Sequence, residues 1–195
     1  NIRGIMYQDR AHVFVGWRTP IGTVIYDVLT QQWHTRGTLN SDTWRYTAIV
    51  TAGTRTFVAD ADGIFDELSR DYTSEHMADA STMGTEIVRE FTAIAPALPN
   101  RIAINTVRLE SAKGVGLAAG QGSDPIVRMR FSVDGGNTWS PWRDRPLGVQ
   151  GRYDQPTIWR RCGRAGRQDM VFWFSKSDPV KEAYLGVVIN EDEAA

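Results

Sequence analysis

The side chains able to do chemistry are few and scattered in this chain. Three histidines, His12, His34 and His76, stand far apart, whereas a metal centre draws on ligands at close, repeated spacings. No Gly-x-Ser-x-Gly run lifts a serine nucleophile out of a strand-to-helix turn. Cys162 is the single cysteine, which excludes an internal disulfide and a cysteine-rich zinc site. Asp60-Ala61-Asp62-Gly63 looks like the start of a calcium loop. The position that should supply a bidentate glutamate is Asp71, however, and a strand-like run opens at Ile64, so a hairpin turn is the better reading. Gly120-Gln121-Gly122-Ser123-Asp124-Pro125 is a loop without the Lys-Ser/Thr pair of a phosphate cradle. No catalytic residue, cofactor or metal ion is expected.

Two groups of residues remain. Arg152, Arg160, Arg161, Arg164 and Arg167 lie among Tyr153 and Trp159, opposed only by Asp154. Guanidinium groups beside aromatic rings can grip a phosphate backbone, an acidic protein face or a sugar. They can equally pack over tryptophan in a sheet, with Gly163 to Arg167 as a solvated loop, so partner contact, DNA contact and packing stay open. The second group is Ser132, Asp134, Gly136, Thr138 and Trp139, in the order S-x-D-x-G-x-T-W. Here Asp134 can fold its carboxylate onto turn N–H groups, glycine permits positive φ, and Trp139 can pack under the hairpin. The pattern resembles the Asp-box of sialidase-type propellers, which pins a turn and is usually remote from any catalytic centre.

These groups must be held by strands. Short β-branched and aromatic runs separated by Gly, Pro, Asp and Asn dominate the chain. His12 to Trp17 and Thr23 to Leu29 form one expected hairpin across Thr19-Pro20-Ile21-Gly22; Thr56 to Ala59 and Ile64 to Leu68 form another. The two resemble each other at an offset of roughly 40 residues, with Phe14 matching Phe57 and Tyr26-Asp27-Val28-Leu29 matching Phe65-Asp66-Glu67-Leu68, and the second copy is expected to have the shorter connection, by four residues. A strand repeat of this length is what propeller blades look like in sequence. Residues 69–84 are polar and read as a loop or one short helix. Further strands are expected at 86–94, 101–110, 125–133, 155–161, 170–175 and 183–189. The expected fold is mainly β: blade-like antiparallel hairpins of a partial β-propeller over 1–72, a connecting segment over 73–100, and a β-rich part with the Asp-box hairpin over 101–195.

Composition fits this reading. With 42% hydrophobic residues, 7 Trp, 6 Tyr and 7 Phe in 195 residues, the chain can build a core and is not disordered. No apolar run is long enough for a membrane-spanning helix. Lysine and arginine number 22 against 23 acids, and the net charge of −1 argues against an overall basic nucleic-acid binder. The charge is uneven: residues 101–170 hold 12 basic and 6 acidic side chains, hence +6, whereas residues 171–195 hold 2 and 5, hence −3. Arginine outnumbers lysine 19 to 3, a bias that suits interfaces, since the guanidinium fork is weakly hydrated. The start at Asn1 without a signal-peptide pattern leads us to expect a part of something longer, made in a reducing cytosol.

The second half carries an ordered set of motifs: Arg101-Ile102-Ala103-Ile104-Asn105, Val107-Arg108-Leu109-Glu110, Gly114-Val115-Gly116, Asp124-Pro125, the Asp-box, Pro146-Leu147-Gly148 and Gly151-Arg152-Tyr153. The set ends with Trp159-Arg160-Arg161-Cys162-Gly163-Arg164 and Phe174-Ser175-Lys176-Ser177-Asp178-Pro179-Val180-Lys181. This order resembles the C-terminal part of the phage stabilisation proteins, the tail hub or nozzle of short-tailed phages, most densely over 101–189. Cys162 departs from the aliphatic residue expected there, a change of packing rather than role. The resemblance implies a virion structural protein without an active site, made in the host cytoplasm. It would form a homo-oligomeric ring below the portal adaptor, close the DNA exit channel, retain packaged DNA and carry tail fibres or spikes. A rival reading is the carbohydrate-binding module of a sialidase-like or lectin-like propeller, with Trp142 or Trp159 stacking on sugar faces.

Overall fold

Alternating burial organises the first strands. In the computed structural model, which describes residues 2–38, 40–69, 72–75, 85–180 and 183–190, the chain divides into two units, Asn1–Ile87 and Val88–Ala195. In the first unit β1 (Arg3–Asp9), β2 (His12–Thr19), β3 (Gly22–Asp27) and β4 (Gln32–Arg36) form an antiparallel meander. A period of two puts Ile5, Tyr7, Phe14 and Ile25 on one face and the cross-strand row Met6, Val15, Tyr26 and Trp33 on the other. A second sheet follows, β5 (Ala48–Ala52), β6 (Arg55–Ala59) and β7 (Phe65–Leu68). Its Val58 joins the first face, with Trp44 and Tyr46 from the intervening segment, in one core. β8 (Ser74–Glu75) and β9 (Thr85–Glu86) pair as a small ribbon. The expected loop or helix over 69–84 lies largely outside the described residues, as does His76.

The two hairpins differ in a way the repeat did not predict. The first closes through two residues, Pro20 and Ile21; the second needs five, Asp60 to Ile64. The second copy is therefore shorter in its strands, not in its connection. Phe14 is buried, whereas Phe57 lies on the face opposite Val58, stacked on Phe65 at 5.3 Å. One residue of register is enough to exchange the faces of a strand. Asp27 and Asp66 do share the core side of their strands and both accept side-chain hydrogen bonds there. Val28 and Leu29, expected to continue β3, sit exposed in the turn that Asp27 caps by accepting from Leu29 N.

The second unit is a sandwich of two open sheets. One runs in the order β10 (Arg89–Ala95), β17 (Met170–Lys176), β13 (Ile126–Ser132), β14 (Arg143–Pro146); the other runs β15 (Thr157–Arg160), β12 (Thr106–Ser111), β18 (Tyr184–Ile189). A ribbon of β11 (Ile102–Ala103) and β16 (Arg164–Ala165) completes it. Val107, Leu109, Val127, Met129, Trp159, Met170, Phe172 and Phe174 fill the space between the sheets. Phe174 stacks on Phe91 at 4.7 Å and meets the edge of Trp159 at 5.6 Å. The strand expected over 101–110 breaks at Ile104-Asn105, because Ile104 and Asn105 accept from Cys162 and Arg161 instead of continuing one ladder. Every named strand pairing is antiparallel and no helix occurs among the described residues. The mainly β expectation holds. A closed ring of propeller blades is not present among them.

Candidate partner-binding site

The turn after β13 is built by two side chains sharing the work expected of one. Ser132 Oγ accepts from Gly136 N at 2.8 Å and Asp134 N at 3.3 Å, and donates to Asp134 Oδ1 at 2.6 Å. Asp134 then accepts Thr138 N at 2.8 Å and the Thr138 hydroxyl at 2.6 Å. Hydrogen bonds from Ser132 and Thr138 hold the Asp134 carboxyl down at about 2. Positive φ at Gly135 (69°) and Gly136 (98°) lets the chain turn, and a Cβ on Gly136 would lie 3.6 Å from the Trp139 ring beneath it.

Trp139 has a second task. On the outer face of the β17–β13 pair, the Arg130 guanidinium sits 4.2 Å from the Trp173 ring centre, 4.6 Å from Trp142 and 4.7 Å from Trp139. Arg128 lies over Trp142 at 5.9 Å and 3.7 Å from Asp144. The alternation Val127-Arg128-Met129-Arg130 sends the methionine and valine inward and both arginines outward. This cation–π cage was not anticipated, although that alternation and the aromatics after the turn were its signal in the sequence.

At the sandwich edge two more arginines replace a missing ladder. Arg143 Nη2 donates to Arg160 O at 2.5 Å, Arg145 Nε donates to Ile158 O at 2.8 Å, and Trp159 Nε1 donates to Arg143 O at 2.7 Å. β14 and β15 are thereby bridged through side chains. Trp159 is fully buried in this seam, so it cannot stack on a sugar as the carbohydrate reading required. Trp142, half-buried, has its ring under two guanidinium groups.

The five arginines singled out from the sequence separate. Arg152 lies 3.7 Å from Asp154. Arg160 and Arg161 follow Trp159 at the seam and give their carbonyls to Arg143. Arg164 and Arg167 line a cleft of about 950 Å³ with Arg101, walled by Pro99, Asn100, Gly163, Gly166 and Gln168 and floored by Phe131 and Val133. Arg164-Ala165, expected in a solvated loop, is a short strand with Ala165 buried. A Cβ at Gly163 would come within 3.2 Å of the Phe131 ring, and one at Gly166 within 3.2 Å of Arg101 Cγ, so side chains there would narrow the cleft. Arg101 was missed because 63 residues separate it from Arg164 in the sequence; only the β11–β16 pairing joins them.

In the first unit the chemistry-bearing groups are consumed by structure. Burial pushes the Asp27 carboxyl up, but hydrogen bonds from Thr30, His12 and Leu29 N outweigh it and hold it at about 2. Asp60 accepts Asp62 N and Ile64 N at 2.9 Å each and pairs with Arg45, which makes Asp60 to Gly63 a braced turn. Among the described residues no group of three or more His, Cys, Asp or Glu is placed to hold a metal ion.

Comparison with known proteins meets this geometry at its boundary. No individual curated protein matches the sequence. Residues 88–190, more than half of the chain, match the family described as "Bacteriophage P22 Gp10, beta-sandwich". That span begins at the residue where the second structural unit begins and ends on the residue after β18. It contains the whole 101–189 stretch that carried the resemblance, and through this β-sandwich the chain belongs to the bacteriophage P22 Gp10 family of phage tail structural proteins.

Proposed function

We propose that this protein is a hub or nozzle component of a short phage tail, made in the host cytoplasm and built into the virion. In this reading copies form a ring below the portal adaptor, close the DNA exit channel, retain the packaged DNA and hold tail fibres or spikes. It works by contact and carries no catalytic centre. The single observation that supports this most is the match of the family to one independently packed sandwich. The surface chemistry is compatible: outward guanidinium groups at Arg128, Arg152 and Arg161, and a cleft with Arg101, Arg164 and Arg167, suit acidic partner faces or phosphate.

The first unit enters as two propeller-like blades. A four-stranded meander followed by a three-stranded one, sharing a core but leaving apolar outer faces, is the way successive blades stack. The test is genetic and physical together. Particles assembled without this protein should lose their DNA, and purified complete particles should yield its peptides by mass spectrometry. Particles that keep their DNA without the chain would overturn the nozzle role.

A further inference from the structure

The cleft between the β11–β16 ribbon and the end of β13 has one polarity and no answering charge. Arg101, Arg164 and Arg167 are exposed around it, and among the described residues no carboxylate is paired with any of the three. The carboxylates next to its lining are engaged elsewhere. Asp169, beside Gln168, accepts from Ala97 N at 2.8 Å, and Asp134, beside Val133, accepts from Thr138 N and the Thr138 hydroxyl. Three like charges repel one another in a semi-enclosed space, so an occupant must bring negative charge. The floor asks for more than charge. Phe131 is only partly buried where it packs against the sandwich core, and Val133 is 43% exposed, so the occupant must also cover apolar surface.

The walls are fixed before any ligand arrives. Ile102 and Ala103 pair with Ala165 and Arg164, Ile104 N donates to Gly163 O at 2.9 Å, and Leu98 N donates to Gly166 O at 2.7 Å. Arg101 lies between two of these ties, and Arg164 and Arg167 bracket Ala165-Gly166 on the facing segment. Binding therefore has to order side chains only, which keeps its entropic cost small. Asn100 and Gln168 add neutral amides that can donate to and accept from a peptide backbone. Duplex DNA presents phosphate and sugar to such a patch, with little apolar surface for Phe131 and Val133. A single strand is held on several aromatic rings, where this cleft has one. We propose that the cleft takes an extended acidic segment of another protein, with carboxylates on both sides of one aliphatic or aromatic side chain that lies on Phe131 and Val133. This is a property of the chain by itself and does not depend on the nozzle reading.

The test titrates the full chain with the unlabelled peptide Glu-Glu-Leu-Glu-Glu at low salt, followed by calorimetry. Replacing the glutamates of the peptide by glutamine should weaken binding about tenfold, the sum of three ion pairs at a partly exposed site. Replacing its leucine by serine should weaken binding about fivefold, since an open cleft buries only part of that side chain. Arg101→Ser, Arg164→Ser and Arg167→Ser together should abolish the difference between the glutamate and glutamine peptides. All three side chains are exposed, so the variant keeps its fold, which circular dichroism checks. No saturable binding of the first peptide, equal binding of either substituted peptide, or a preference for glutamate that survives loss of the arginines overturns the proposal. Tighter, arginine-dependent binding of a short DNA duplex at the same salt overturns it in favour of nucleic acid. Arginine-dependent self-association that the peptide displaces overturns it in favour of a second copy. Each of these outcomes leaves the nozzle role to its own test, the retention of DNA in particles.

Discussion

The two units bury their β-sheets with different side chains, although both enclose polar groups, Lys176 of the sandwich among them. The sandwich places its large apolar side chains inside, with Trp159, Phe172, Phe174 and Met170 fully enclosed, and spends its arginines on edges and outer faces. The first unit buries Asp27 and Thr23 beside Ile25, with Arg36 over Tyr7 and Trp44, and leaves Met6, Trp17, Trp33, Val50 and Phe65 exposed. Thr23 and Asp27 are tolerated inside because each is answered, Thr23 by Trp44 N at 3.0 Å and Asp27 by His12, Thr30 and Leu29 N. Apolar rows outside have no such answer within the unit. Both units expose aliphatic side chains, but only the first exposes tryptophan and phenylalanine among the described residues, in outer rows that suit the stacking proposed above.

That contrast predicts where a large truncation will hurt most. Trp159→Ala removes the largest fully buried side chain and the indole N–H that holds β14 to β15. A loss of about 3–5 kcal/mol is expected for the second unit alone. Hydrogen exchange read separately over 1–87 and 88–190 measures it, since a two-unit chain does not unfold in one step. A uniform loss of protection across both regions would mean that the units are not energetically separate.

The sandwich was also the more legible half. β12 and the centre of β13 alternate apolar and polar residues, so their inward faces follow from period two, whereas β17 opens with a continuous apolar run, Met170 to Phe174, that marks a strand buried at the centre of its sheet. β14 went unread because its inward positions are Arg143 and Arg145, which look like a solvated run until β15 offers carbonyls to receive them. β1 and β4 were hidden by glycine, glutamine and charge in edge strands. The turn at Ser132 to Trp139 was legible because its chemistry is local. The cleft and the tryptophan cage were not, since each joins residues that only sheet pairing brings together.

Mild acid should separate the units without any mutation. Burial, and then the neighbouring Arg36, push His34 below its ordinary 6.5, opposed weakly by Asp27. The unfolded chain therefore takes up this proton first, and the first unit loses stability as pH falls from about 6.5 toward the lower folded value. All three histidines lie in residues 1–87, so the second unit has no histidine to respond in that window. Asp27 and Asp134, both held at about 2, keep their contribution above their ordinary 3.8 and lose it only as pH falls toward 2, alike in both units. Selective loss of protection over 1–87 as pH falls below about 6.5, absent in His34→Gln, is the expected pattern. An unchanged response in His34→Gln would take the effect away from this residue.

The smallest expected effect bears most directly on why the first unit differs. Trp33 is 62% exposed on the outer row, stacked 6.1 Å from Trp17 and 4.9 Å from Tyr26. If that face is built for a neighbour and not for this unit's own core, Trp33→Ser forfeits only the ring contacts, about 1 kcal/mol or less. The same change should sharply reduce self-association at high protein concentration, measured by sedimentation, because it interrupts the apolar row. A loss of several kcal/mol from a dilute monomer would instead place Trp33 among the residues that hold the unit together. In that case the contrast with Trp159 collapses, since both units would then depend on tryptophan for their own stability, and the outer face would cease to be an argument for stacking.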